Sequence, residues 1–337
     1  KRGIDSEIVP YAPWMAPTRG WLLAPARLWK NKKTRPLIQQ RLRVYQPDLI
    51  HSNSSVLGIG IKVATEMRIP HVWHLREFAK EAFGMRPDLG WRDMHRWLER
   101  STAYIAVSDI LKQHLLSPEA RSRCTVIYNG VMYRAQMEEL RQRRQDLAEV
   151  NNSQFTFLMV GRISPLKGQA EAIAALAQVR VALSTTRNVQ LKLVGGGNES
   201  YIGKLQQLSR ELGISKYVEF AGFLEDPFPA YLAADSVLVC SHSEGMGRVT
   251  AEAMGVGVPV IGRDTTGTAE LIEHEHTGLL YDGEIESLAA AMIRLIEEPD
   301  LRAAVSEGGW KQAYEHFSVE TYCARTHELF KQVINRG

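Results

Sequence analysis

Residues 241–270 read SHSEGMGRVTAEAMGVGVPVIGRDTTGTAE. The apolar run SVLVC (236–240) leading into them predicts a buried parallel strand, and RVTAEAM (248–254) has helical spacing, so the segment is a strand, a tight loop and a helix start. Gly245 and Gly247 let the backbone approach a ligand closely, and the unpaired N–H groups that open the helix suit a phosphate. The expected cradle is therefore Gly245, Met246, Gly247, Arg248 and Val249. Glu244 stands in the loop and Glu252 one turn into the helix. Like charges repel, so two carboxylates beside a phosphate cradle do not serve the phosphate itself. They suit hydroxyl groups, which means a sugar and a ribose.

A second cluster, FTFLMVGRISPLKGQ (155–169), is again a hydrophobic strand that runs into a loop and then a helix. Arg162 offers a planar bidentate fork and Lys167 a mobile point charge, a pair suited to a diphosphate. Both follow the carboxyl end of a strand, where open α/β sheets bind ligands. In the first half DSEIVPYAP, PDLIHSNSS, HVWHLREF, AYIAVS and CTVIYNGV read as strands, and in the second FTFLMVG, VQLKLVGGG, YVEFAG, SVLVC, PVIG and GLLY do the same. The charged helical stretch AQMEELRQRRQDLAEV (135–150) closes the first half. The expected organisation is α/β, with two Rossmann-like domains over 1–150 and 151–315 and a final helix over 316–337.

The GRxxxxKG run, the Glu-x7-Glu pair and the xGTAELI and HTGLLY segments resemble the retaining glycosyltransferases of family 4, over nearly the whole chain and more specifically in its C-terminal half. The resemblance implies the GT-B architecture, two Rossmann-like domains facing a cleft. It also implies that Arg162 and Lys167 bind the donor diphosphate, that Glu244 contacts the transferred sugar and that Glu252 holds the ribose. His74, at the end of the HVWHL strand, would face the donor sugar, with Arg76 and Glu77 as lesser candidates. Read without the resemblance, His74 and His51 are histidines satisfied at strand ends. GFLEDP (222–227) would lie along the base, and the last helix would cross back to the first domain. The implied reaction moves a sugar from a nucleoside diphosphate donor to an acceptor hydroxyl, in polysaccharide or glycolipid synthesis. It implies no cofactor and no metal, since no DxD motif is present and two cations can take a metal's place.

Composition narrows the alternatives. A chain of 337 residues, 45% hydrophobic, is long enough for two cores. Cys124, Cys240 and Cys323 are widely spaced, which supports neither a disulfide framework nor a zinc site and fits a reducing cytoplasm. No apolar run is long enough to span a bilayer. The net charge of +3 hides an asymmetry, because residues 1–45 hold ten lysines and arginines against Asp5 and Glu7. Trp14, Trp21, Leu22, Leu23, Leu28 and Trp29 are interleaved with those cations. The mixture suits an anionic membrane surface, as for a peripheral protein with a lipid-linked acceptor, or a solvated basic helix with its tryptophans in the core. Pro25 and Pro36 are expected to interrupt any long helix there. No recognition motif supports nucleic acid as a partner.

Some positions depart from the family pattern. Met132 ends the Asn-Gly-Val run where the family often has Asp, and Arg248 replaces an aliphatic residue. Thr266-Gly267 stands where the family has Gly-Gly, and a β-branched residue resists positive φ. LVGGGNES (193–200) lacks the third glycine of a dinucleotide fingerprint, so its glycines are expected to shape a loop beside the nucleotide. The opening KRGIDSEIVPYAP resembles the end of a first helix and a second strand, so a leading strand is expected to be missing from the first domain. A sugar-nucleotide epimerase of the same architecture and a non-catalytic nucleotide-sugar-binding protein are the competing readings.

Overall fold

The structure, a computed structural model, describes residues 5–80, 84–148, 154–183 and 188–336. Chain contacts divide it into two units, residues 1–127 with 325–337, and residues 128–324. The boundary expected near residue 150 lies outside the described residues.

In the first unit, strands β2 (Ile50–Ser52), β3 (His71–Leu75), β5 (Ala103–Ala106) and β6 (Cys124–Val126) form a parallel sheet in the order β2-β3-β5-β6. Strands β1 (Met15–Pro17) and β4 (Met85–Pro87) pair separately and antiparallel. All five residues of β3 are buried, as expected for a strand covered on both faces. Trp73 and Tyr104 fill the core, and their polar ends are satisfied by the carbonyls of Ser54 and Leu98. The strand expected over DSEIVPYAP does not form. Residues 5–14 are irregular and Ile8 is 97% exposed. Side chains of the following helix tie the segment down instead: Thr34 donates to the Pro10 carbonyl, and Asn31 bonds both backbone groups of Ala12.

That helix, Ala24–Tyr45, also corrects the expectation of an interrupted segment. Pro25 lies in the first turn, where a missing N–H costs nothing. Pro36 removes one internal hydrogen bond, but the helix runs through it, held by packing on the Ile59–Met67 helix and by Arg35 and Gln39, which share the Glu66 carboxylate.

His71 lies in this core between the hydroxyls of Ser52 and Ser101, 2.8 Å from each. Burial lowers its pKa to about 3 and that of His74 to about 2, the latter with help from Arg76. Both imidazoles are therefore neutral when folded and ordinary when unfolded. Their contribution to stability is complete above about pH 6.5 and is lost as the pH falls toward 3, at ~1.4 kcal/mol per pH unit for each histidine. Urea unfolding at pH 7.5, 6.0 and 5.0 is expected to show this decline, and an unchanged midpoint across the series would contradict it.

In the second unit, β7 (Gln154–Val160), β8 (Asn188–Val194), β9 (Val218–Gly222), β10 (Ser236–Val239), β11 (Val260–Arg263) and β12 (Leu279–Tyr281) form one six-stranded parallel sheet, ordered β12-β11-β10-β7-β8-β9. The chain starts in the middle, builds outward to β9, then returns to the other side of β7. This is the doubly wound arrangement, with its switch point between β7 and β10. The helix Arg134–Ala148 packs with this unit rather than with the residues before it. Arg141 pairs with Glu307 and stacks on Trp310, and the guanidinium of Arg144 donates to the Ala234 carbonyl. Gly255 leaves room for Met132, whose terminal methyl would lie 2.3 Å from an added Cβ. The apolar residue at 132 is thereby explained as packing.

Candidate active site

The two loops leaving the switch point carry the residues that the sequence singled out in this unit. After β7 the chain enters the loop of Arg162 and Lys167, and after β10 the loop of Glu244 to Gly247. Strap bonds hold the first loop to the glycines after β8: Gly161 N–H donates to Val194 O and Ile163 N–H to Gly196 O, each at 2.9 Å. The approach is so close that a Cβ on Gly195 would lie 1.9 Å from Gly161 O. A cavity of about 900 Å³ opens here, lined by Arg162, Gly195, Asn198, Phe223, Glu225 and Arg248 among others. Arg162 is exposed into it, and its guanidinium makes no ion pair among the described residues. The glycine loop and part of the GFLEDP segment thus border one cavity.

Lys167 reaches the other loop because of Gly168. That glycine has φ +71°, and a Cβ there would lie 2.4 Å from the Cys240 carbonyl. The ammonium of Lys167 is ion-paired with the carboxylate of Glu244. The backbone of Glu244 is fixed at both ends. Its N–H donates to Thr266 Oγ1 and its carbonyl accepts from Gly267 N–H, both at 3.0 Å. Thr266 adopts φ +48° in spite of its branched side chain. The resistance expected of a β-branched residue is overcome here. The conformation costs on the order of 1–3 kcal/mol, and the paired bonds to Glu244 offset it.

The helix Arg248–Val256 starts after Gly247, which has φ +79° and provides no side-chain cap, so the first N–H groups face the loop uncovered by a cap. The buried hydroxyls of Thr250 and Thr268 flank Gly247 and have no hydrogen-bond partner among the described residues. Met246 is buried and its sulfur accepts from the Asn129 N–H. Val249, one turn position on, remains partly exposed. Glu252 accepts from the Tyr231 hydroxyl and from Arg248, each at 3.1 Å. Burial and Glu252 together hold the Tyr231 phenol well above its usual range, so it acts as a donor.

Two supporting residues were not foreseen from the sequence. Gln169 is buried, donates to the Arg162 carbonyl at 3.1 Å and accepts from the Ser164 N–H. Glu171 joins His242 at 2.6 Å and Arg263 at 2.9 Å, linking the helix after Lys167 to the ends of β10 and β11. Only the acid and amide on a helix start directly after GRxxxxKG hinted at either. Asp235 caps a strand start by accepting from Thr156 N–H at 2.7 Å.

The first unit holds the remaining candidates. His74 has no exposed surface, and its ring lies 5.5 Å from that of His51, which in turn meets Phe330 edge-on at 5.1 Å. Arg76, the first residue past β3, donates to Asn53 Oδ1 at 2.6 Å. Glu77 accepts from the Ser54 hydroxyl and the Ser55 N–H, fixing the loop after β2.

The chain is similar to known proteins in both sequence and fold. Residues 141–312 match the family described as glycosyl transferases group 1, and residues 7–132 match glycosyltransferase family 4. The chain is 27% identical over 307 residues to alpha-monoglucosyldiacylglycerol synthase of Streptococcus pneumoniae, covering 86% of this chain and 67% of that protein. It is 33% identical over 177 residues to the lipopolysaccharide core biosynthesis glycosyltransferase LpsD of Rhizobium meliloti, covering 52% of this chain and 49% of the other. Among solved structures, Anabaena HepE in complex with UDP superposes with a TM-score of 0.76 at 28% identity, over 89% of this chain and 82% of that one. Sucrose-phosphate synthase of Thermosynechococcus elongatus, with a TM-score of 0.71 at 21% identity over 90% and 79% of the two chains, shares the fold.

Proposed function

We propose, for a chain that belongs to the glycosyl transferases group 1 family and is a glycosyltransferase, that it moves a sugar from a nucleoside diphosphate sugar to an acceptor hydroxyl with retention at the anomeric carbon. The observation that carries this reading is the placement of Arg162, Lys167 and an uncapped helix start on the two loops of one switch point, beside a cavity of about 900 Å³. As the bond from the anomeric carbon to phosphate breaks, negative charge builds on the diphosphate. Arg162, Lys167 and the N–H groups from Gly247 to Val249 stabilise it by preorganised electrostatics, so two side-chain cations serve where other transferases use a metal. The acceptor oxygen bonds to the same carbon, and its proton passes to the departing phosphate oxygen. Glu244 orients the sugar and Glu252 the ribose.

No helix among the described residues is long and apolar enough to cross a membrane. With a glycolipid synthase among its relatives, the chain is read as a cytoplasmic protein that works peripherally on a sugar or lipid-linked acceptor. HepE binds UDP and UDP-glucose in its crystals, which makes a uridine donor the first to test. A thermal-shift screen of UDP-, GDP- and ADP-sugars is expected to single out one base. A ligand at 100 times its Kd adds ~2.7 kcal/mol of stability. Donor hydrolysis with and without simple acceptors then separates transfer from epimerisation and from binding without turnover. A shift with none of the nucleotides would overturn the reading.

A further inference from the structure

The Ala24–Tyr45 helix belongs to the first unit, and its outward face carries none of the residues assigned to donor binding. Its inner face is settled: Ala24 and Thr34 are buried, and Arg27 and Arg35 are paired with Asp88 and Glu66. On the opposite side Trp29 is 60% exposed, Leu37 54% and Val44 77%. At 100° per residue these three fall within one sector of about 80°, which also holds exposed Lys33 and Gln40. Leu22 and Leu23, immediately before the helix, are 82% and 63% exposed and extend the apolar surface at that end. Lys30 and Arg41 flank the sector on one side and Lys32 and Arg43 on the other, with Lys33 lying over the Trp29 ring at 3.7 Å. The helix contains no aspartate or glutamate. Among the described residues Lys30, Lys32 and Arg43 form no ion pair.

Single exposed apolar residues are ordinary on a solvated face, but here five large ones share one surface with basic residues and no acidic side chain on the helix, and no nucleic-acid recognition motif accompanies them. Large apolar groups with a basic border on both sides match a lipid bilayer bearing anionic headgroups, into whose interface tryptophan and leucine insert while lysine and arginine remain at headgroup level. We infer that the exposed face of the Ala24–Tyr45 helix, with Leu22 and Leu23, is a docking surface for an anionic phospholipid bilayer. This deepens the reading of a peripheral transferase acting on a lipid-linked acceptor, and it rests on that reading for its purpose alone.

The test is sedimentation of the whole chain with phosphatidylcholine vesicles and with mixed phosphatidylglycerol–phosphatidylcholine vesicles. Binding is expected to the mixed vesicles only and to weaken with added salt. Lys30→Gln, Lys32→Gln and Arg43→Gln are each expected to lower partitioning about fivefold, the equivalent of ~1 kcal/mol per cation near such a surface. Trp29→Ser with Leu37→Ser should lower it at every salt concentration. Lys204→Gln, on an exposed helix of the second unit, should leave it unchanged. Nucleotide affinity is measured on every variant, so a misfolded protein or a failed donor assignment shows itself separately. Equal binding to neutral vesicles, no binding at all, or release by competing nucleic acid would each overturn the inference. So would self-association that buries Trp29 and persists in the cation variants.

Discussion

Arg162→Ala and Lys167→Ala are each expected to cut turnover by about 10²–10³, the usual loss when one preorganised charge-stabilising group is removed. The two should not behave alike. Arg162 is exposed into the cavity with no ion pair among the described residues, and its backbone is held by Gln169, so its truncation removes a cation and little else. Lys167 is already paired with Glu244, a carboxylate whose side chain is only 20% exposed. Removing the lysine leaves that charge facing the incoming diphosphate. Lys167→Ala is therefore expected to raise the donor KM as well as lower kcat, whereas Arg162→Ala acts mainly on kcat. Initial rates at varied donor concentration, with melting temperatures as a check on folding, measure both. Rates within a few-fold of the parent for both variants would remove the diphosphate assignment.

What the sequence makes legible is the local grammar of the second unit. Runs such as FTFLMV and SVLV are largely apolar on both faces, as a covered parallel strand requires, and their shortness together with the glycine and polar residues that follow separates them from buried helices. Periodicity does not reveal which strands become neighbours. The pairing of β7 with both β8 and β10, which creates the switch point, is a product of packing. Segments whose fate depends on distant partners are illegible for the same reason. Residues 5–13 carry a strand-like pattern but are held by Asn31 and Thr34, and the Ala24–Tyr45 helix survives Pro36 because its inner face is packed and bonded. Backbone strain is also invisible in composition. Thr266 takes a left-handed conformation because its hydroxyl and the next N–H both bind Glu244, a gain that no propensity scale contains. Gln169 looks like a surface glutamine until its two bonds to the Arg162 loop are seen.

Glu252→Gln and Glu244→Gln are expected to separate nucleotide binding from sugar transfer. Glu252 is held by the Tyr231 hydroxyl and Arg248, and its side chain is 15% exposed. If its carboxylate accepts from ribose hydroxyls, losing the charge removes charge-assisted bonds worth ~1.5–3 kcal/mol, which weakens free nucleoside diphosphate by about 10- to 100-fold. Glu244 differs in kind. Glutamine preserves an oxygen toward Lys167 and leaves the backbone bonds to Thr266 and Gly267 intact, so the loop keeps its shape. The substitution removes one negative charge beside the phosphate cradle, so nucleoside diphosphate affinity should hold or rise slightly. If the lost group contacts the sugar whose bond is breaking, turnover should nevertheless fall by about 10²-fold. Calorimetry with nucleoside diphosphate and initial rates with the full donor give the two readouts. Equal losses of nucleotide affinity in the two variants would show that both carboxylates serve the nucleotide, and unimpaired transfer by Glu244→Gln would show that this glutamate serves only to hold Lys167 in place.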